Sequence, residues 1–210
     1  MGDNLFGYRI RFSKTGPSRF LSHHDLLRFL ERALRRCGLP LRMTEGFNPH
    51  PRISLPTALG IGVESLAEVF EIELDQWVSP REVQRRVTPE FPEGMALQSV
   101  ELISRKDRIR IAGATYEMTL PAGRLPAPEA LAQLMARAEI PIERHTDKWS
   151  KVVNIRAYLM ALDTADGRLR ARIRITDQGT ARPEEVLTAL GIPLTPEVRI
   201  VKTAADIARR

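Results

Sequence analysis

The sequence predicts an α+β protein built from two tandem ferredoxin-like units, each with the order β-α-β-β-α-β and an antiparallel sheet. Three observations carry that expectation. Hydrophobic residues make up 43 % and charged residues 28 % of the 210, the balance of a chain that buries a core. Strand-like alternation and helix-like stripes follow one another in the same order in both halves. A charged run, Ser104-Arg105-Lys106-Asp107-Arg108, separates the halves and sets units of residues 1–105 and 106–210. The repeat lies in element order; no residue-level repeat accompanies it.

Each element of the first half has a local cause. Tyr8, Ile10 and Phe12 alternate with Arg9 and Arg11, the period of a half-buried strand, and Gly16-Pro17 ends it. Ser22 stands three residues before Asp25, a variant of the capping box, and opens a helix. Leu26, Leu27, Phe29, Leu30, Ala33, Leu34 and Cys37 form its apolar stripe, with Arg28, Glu31, Arg32, Arg35 and Arg36 opposite. Gly38 and Pro40 stop it. Leu39 to Thr44 and Ile53 to Leu55 read as extended pieces around a loop interrupted by Gly and Pro. Residues 67–74 alternate again, Ser79-Pro80 starts a second helix, and residues 97–103 make a last strand.

The second half repeats the order. Residues 114–120 read as a strand and 128–139 as a helix. Residues 152–162 and 168–175 read as two strands about Asp166-Gly167, a hairpin signal. Arg182-Pro183-Glu184-Glu185 opens a helix that runs to Leu190 before Gly191, and residues 197–202 close the unit as a strand.

Composition excludes several functions. One cysteine cannot supply a disulfide scaffold, a local iron–sulfur cluster or a Cys-based zinc site. No apolar run of about 18 residues exists, so no membrane is expected as a partner. Met1 to Phe6 lack the basic start and apolar stretch of a signal peptide, which sets the expectation of a soluble cytoplasmic protein. Nothing matches Gly-x-Ser-x-Gly, His-Glu-x-x-His, a P-loop or a dinucleotide fingerprint, so neither cofactor nor metal is expected.

The net charge is +6, and it is unevenly placed. Residues 1–60 carry ten Lys/Arg against four Asp/Glu, residues 61–105 four against nine, and residues 106–210 eighteen against thirteen. Such segregation favours a polyanionic partner over solubility alone.

Three stretches are candidates for function. In Thr44-Glu45-Gly46-Phe47-Asn48-Pro49-His50-Pro51-Arg52, prolines stiffen a loop that presents Asn48, His50 and Arg52 to a phosphate or base edge, with Phe47 for stacking. The same residues also suit a rigid hairpin connection, and His50 is the one candidate there for acid–base catalysis. Between the first strand and helix, Lys14 and Arg19 flank a helix start where free N–H groups suit an anion. His23-His24-Asp25 has the composition of a metal cluster, but adjacent helical residues diverge by about 100° and rarely share one ion. Finally, Arg168, Arg170, Arg172 and Arg174 fall on one face of a strand opposite Leu169, Ala171, Ile173 and Ile175. That face reads either as a charged edge that blocks aggregation or as a surface tracking an RNA backbone. Trp149 between Lys148 and Lys151 suits base stacking or loop anchoring.

Several strings together resemble the radical SAM-linked protein family, a bacterial domain of unknown function. They are Arg11-Phe12-Ser13-Lys14-Thr15-Gly16-Pro17, Arg19-Phe20-Leu21-Ser22-His23, Glu31-Arg32-Ala33-Leu34-Arg35-Arg36, Gly38-Leu39-Pro40-Leu41 and, above all, Glu45-Gly46-Phe47-Asn48-Pro49-His50-Pro51-Arg52-Ile53-Ser54. The likeness is dense over residues 8–75 and loose beyond 110. It implies a stand-alone form of a domain otherwise fused to radical SAM proteins, because one cysteine cannot supply the Cys-x-x-x-Cys-x-x-Cys cluster. The family's gene surroundings imply work on RNA or the ribosome. The resulting expectation is a non-catalytic accessory protein that binds RNA or a ribonucleoprotein beside a radical SAM partner, through Lys14, Arg19, Phe47, Asn48, His50, Arg52 and the four strand arginines. Two alternatives stand beside it. One is a metal-independent endoribonuclease of tandem ferredoxin-like type, using His50, His23, His24 or Lys14. The other is a protein scaffold that docks a radical SAM enzyme.

Overall fold

A computed structural model describes residues 5–104, 107, 109–146 and 149–209. The chain is mixed α+β, with mostly antiparallel strands and four α-helices among the described residues. It divides into two compact units, Met1–Arg110 with Ile207–Arg210, and Ile111–Asp206. Of the expected boundary run, Arg105, Lys106 and Arg108 lie outside the described residues, as do Asp147 and Lys148 beside Trp149.

The first unit runs β1 (Phe6–Lys14), α1 (His23–Arg36), β2 (Ile53–Ser54), β3 (Glu64–Leu74), α2 (Pro80–Val87) and β4 (Met95–Ile103). The strands lie in the order β4-β1-β3-β2, each neighbour antiparallel. Alternation sends Tyr8, Ile10 and Phe12 to one face of β1, where they meet Phe70, Ile72 and Leu74 of β3. Leu26, Leu30 and Leu34 of α1 and Val83 and Val87 of α2 cover that face. Phe12 packs edge-on against Phe70 and Phe91, with ring centroids 5.6 and 5.8 Å away.

The helix ends follow their capping residues. Ser22 Oγ accepts from the Asp25 amide at 3.1 Å and donates to the Asp25 carboxylate at 2.6 Å. Gly38 takes φ +62° just past α1, a conformation that costs other residues. Ser79 Oγ caps α2 from the Glu82 amide. Ahead of α2, the Tyr8 hydroxyl donates to the Val78 carbonyl at 2.6 Å and accepts from the Val78 amide at 3.0 Å. One buried side chain of the central strand thus satisfies both backbone groups of the residue leading into α2.

The opposite face of this sheet buries charge. Arg9 reaches Glu71 directly across the register, with Nε and Nη2 at 3.1 and 2.9 Å from Oε1. The same oxygen accepts from the Ile109 amide, and Arg9 Nη2 also donates to the Asp107 carbonyl. A buried carboxylate is tolerated here because its guanidinium partner is buried with it.

Two expectations fail in this unit. Leu39 to Thr44 is not a strand: it makes only isolated bridges, Leu41 to Leu74 and Met43 to Pro51, and β2 shrinks to two residues. Pro40, Pro49 and Pro51 remove the donors a longer ladder would need. The second is simple alternation over residues 67–74. Val69 and Phe70 are both buried, and so are Glu68 and Glu71, because β3 is a central strand covered on both faces.

The second unit contains most of β5 (Ile109–Thr119) and of β11 (Arg199–Arg209), and between them α3 (Pro128–Ala136), β6 (Pro141–Thr146), β7 (Trp149–Asn154), β8 (Leu159–Ala165), β9 (Arg168–Thr176), β10 (Gly179–Thr180) and α4 (Pro183–Ala189). β5 lies between β9 and β11, and both β8 and β10 pair with β9. Asp166 and Gly167 turn β8 into β9 with φ of +51° and +71°, as the hairpin signal predicts. Met118, Leu131, Leu134, Leu169, Ile173 and Val186 are among its buried apolar residues.

The strand expected over residues 152–162 is broken. β7 ends at Asn154, a short 3-10 turn spans Arg156–Tyr158, and β8 begins at Leu159. Asn154 makes the break: its Oδ1 accepts from the amides of Ile140 at 2.9 Å and Arg156 at 3.0 Å. The β6–β7 ribbon is therefore an addition to the expected element order. Among the described residues, no helix is long and apolar enough to cross a membrane.

Candidate functional site

The loop from Thr44 to Arg52 is closed at its stem and exposed at its tip. The Thr44 amide donates to the His50 carbonyl at 2.7 Å, and the His50 amide donates to Thr44 Oγ1 at 3.0 Å. Gly46 takes φ +117°, which no β-carbon-bearing residue adopts readily. The tip then presents Phe47 with no burial at all, and Asn48 beside it. A fully exposed phenyl ring buries no apolar area in the fold.

The C-terminal half of α1 supports this tip. Arg35 Nη2 donates to the Pro49 carbonyl at 2.8 Å, and His50 Nδ1 lies 3.7 Å from Glu31 Oε2. Helical spacing puts His24, Arg28, Arg32 and Arg35 on one exposed side of α1. None of the three arginines has a carboxylate within ion-pair distance among the described residues. At the start of the stripe the Asp25 carboxyl is held below its usual range, first by the Ser22 hydroxyl and secondarily by Arg28 and His24. The arrangement is an open guanidinium row whose last member, Arg35, is bonded to the loop that carries Phe47.

Other expected contacts lie elsewhere. Lys14 is 1 % exposed and donates to the carbonyls of Arg19 and Leu21, so it is a structural group and not a surface contact. It continues the Tyr8, Ile10, Phe12 series, and that alternation carries it inward. Arg19 pairs with Glu64 at 3.4 Å and lies over the Phe20 ring at 4.8 Å. Arg52 stands at the loop stem, 3.8 Å from Glu73.

The arginine face of β9 is present but largely neutralised. Arg168 bonds Glu117 at 3.1 Å, Arg170 lies within 4 Å of both Glu117 and Asp163, and Arg172 bonds Asp206 at 2.9 Å. Arg174 is exposed and has no such pair among the described residues. Glu117 and Asp163 lie on the strands next to β9, and Asp206 reaches Arg172 from β11, one strand beyond β5, so three of these arginines are held by carboxylates. His23 and His24 meet edge-on at 6.0 Å, and no group of three metal-ligating side chains occurs among the described residues.

Residues 7–187 match the model of a family described as an uncharacterized protein conserved in bacteria (DUF2344). The chain belongs to this bacterial family. The match covers most of both units, from the second residue of β1 into α4. No curated protein matches the sequence. The loop and α1 therefore lie inside the family domain, whereas β11 lies beyond it.

The α1 stripe was within reach of sequence reasoning, which placed Arg28, Arg32 and Arg35 on the polar side of the helix. What was missing was their proximity to the loop, fixed by the Arg35 bond to Pro49 across a sequence gap of 14.

Proposed function

We propose that this protein is a non-catalytic accessory protein of the bacterial cytoplasm that binds single-stranded RNA or a ribonucleoprotein. In this reading each unit is ferredoxin-like, with the strand orders β4-β1-β3-β2 and β11-β5-β9-β8. The observation that carries the function is the row of Arg28, Arg32 and Arg35, without carboxylate partners among the described residues, tied at Arg35 to the loop that carries the exposed Phe47. Guanidinium groups take phosphates, and an aromatic platform takes an unpaired base whatever its sequence. Asn48 and His50 add donors at the same tip. Arg174 is a peripheral contact, and Lys14 has no part.

The radical SAM partner rests on the likeness of the Glu45–Ser54 string. A domain that holds RNA would present it to a radical SAM enzyme. The experiment is crosslinking in a native host, with the bound RNA sequenced and co-purified proteins identified from one sample. A discrete RNA species crosslinked to the loop supports the reading. Recovery of a stoichiometric protein partner with no RNA would refute it and favour a protein-docking scaffold.

A further inference from the structure

A second exposed aromatic ring stands at the start of α1. Phe20 closes the 3-10 turn Gly16–Phe20, two residues before the Ser22 cap, and is 60 % exposed. The Arg19 guanidinium lies over this ring, 4.8 Å from its centroid, and is itself held by Glu64 Oε1 at 3.4 Å. The Gly62 amide donates to the Arg19 carbonyl at 3.0 Å, which brings the exposed Ile61 beside the same segment. A ring that carries a guanidinium on one face and is still mostly exposed has its other face to offer.

Helix α1 runs from this ring to the loop that carries Phe47. Its 14 residues rise about 21 Å at 1.5 Å each. His24, Arg28, Arg32 and Arg35 are exposed along it, and Arg35 is bonded to the Phe47 loop through the Pro49 carbonyl. In order along the helix come an aromatic ring, a guanidinium row and the loop with the second ring. Rings take the faces of bases, and guanidinium groups take the phosphates between them. Bases paired in a duplex lie within its stack and have no face to give, so the pattern suits an unpaired strand.

We propose that this site takes an unpaired RNA strand long enough to span α1, with one base on Phe20 and another on Phe47. Arg19 is a positioning residue, which holds the Phe20 ring from its far side. The proposal rests on the RNA reading above and adds to it a second platform and a minimum length. About 21 Å at 3.4 Å per stacked nucleotide is about six steps, hence about seven nucleotides. A trinucleotide reaches one ring only.

The test is calorimetry on the full chain with unlabelled oligoadenylates of three and eight nucleotides, at one salt concentration. The longer strand offers a three-nucleotide site about six registers, and a second stacked base adds about fivefold or more, so the octamer should bind about thirtyfold more tightly than the trimer. Phe20→Ala should lower that ratio about fivefold or more with the thermal midpoint retained, and Phe20→Tyr should keep it. An RNA duplex of eight G·C-rich base pairs should bind more weakly than the single-stranded octamer. A ratio that Phe20→Ala leaves unchanged, or a duplex bound as tightly as the single strand, overturns the proposal. In the first case octamer binding that still depends on Phe47 leaves the RNA reading standing. No binding of any of these RNAs refutes the RNA reading itself, and the proposal with it.

Discussion

Replacing Arg28, Arg32 and Arg35 together by Gln should change the salt dependence of RNA binding more than it changes the fold. All three side chains are exposed on α1, and the row spans about 10 Å at 1.5 Å per residue. If each neutralises one phosphate, the variant releases three fewer counterions. For a single strand, each contact contributes about 0.7 to the slope of log K against log salt, so the slope should fall by about 2. Over a fourfold rise in salt, from about 50 to about 200 mM, the wild-type advantage should therefore shrink about twentyfold. Fluorescence anisotropy with a labelled, unstructured RNA across that range reads the slope directly. Arg168, Arg170 and Arg172, substituted together in the same way, should change the slope by less than about 1, because carboxylates already hold them. A slope unaltered by the α1 substitutions, or a larger effect from β9 than from α1, would refute the argument.

Three further outcomes follow from individual groups. Arg144 is bidentate to Glu185 at 2.6 and 2.8 Å, both largely buried, so Arg144→Ala should cost about 3–5 kcal/mol in urea unfolding, and Arg144→Leu combined with Glu185→Leu should recover most of it. Hydrogen bonds from Arg85 and then Arg86 pull Glu82 from 4.5 down to about 2, so the stability that pair contributes is complete above pH 4.5 and is lost as pH falls toward 2. An acid titration of Glu82→Gln should be shallower than wild type in that window, and identical curves would contradict the assignment. Burial, and then Glu90, push the Cys37 thiol from 9.0 to about 11. At pH 8 the folded chain should consequently react with iodoacetamide about a hundredfold more slowly than the denatured chain, and equal rates would show the thiol is not held in its site.

The helices were the most legible part of the sequence, because their causes are local. Ser22 and Ser79 cap α1 and α2 from within three residues, and Gly38 ends the first at the position its neighbours imply. Strand alternation was legible in sense but not in extent. Carried two residues beyond Phe12, the period would have turned Lys14 inward. Charge pairing was not legible at all. Arg9 meets Glu71 and Arg170 meets Glu117 because strand register places them opposite, and register belongs to the sheet rather than to either segment. That is why four alternating arginines read as an open basic face although three of them are held by carboxylates. The β6–β7 ribbon escaped for a similar reason, since the Asn154 turn that sets it off is closed by an amide 14 residues earlier.

The Tyr8 hydroxyl has a consequence for the order in which the first unit comes apart. It holds both backbone groups of Val78 from a fully buried position in β1, so the approach to α2 is tied to the core of the sheet. Trp77, next to this tie, is exposed and offers a protease an obvious place to cut. Cleavage there requires the chain to leave the tyrosine first, which couples it to opening of β1 itself. A chain nicked at this point would mark molecules that had lost the sheet, not molecules whose surface helix had briefly lifted.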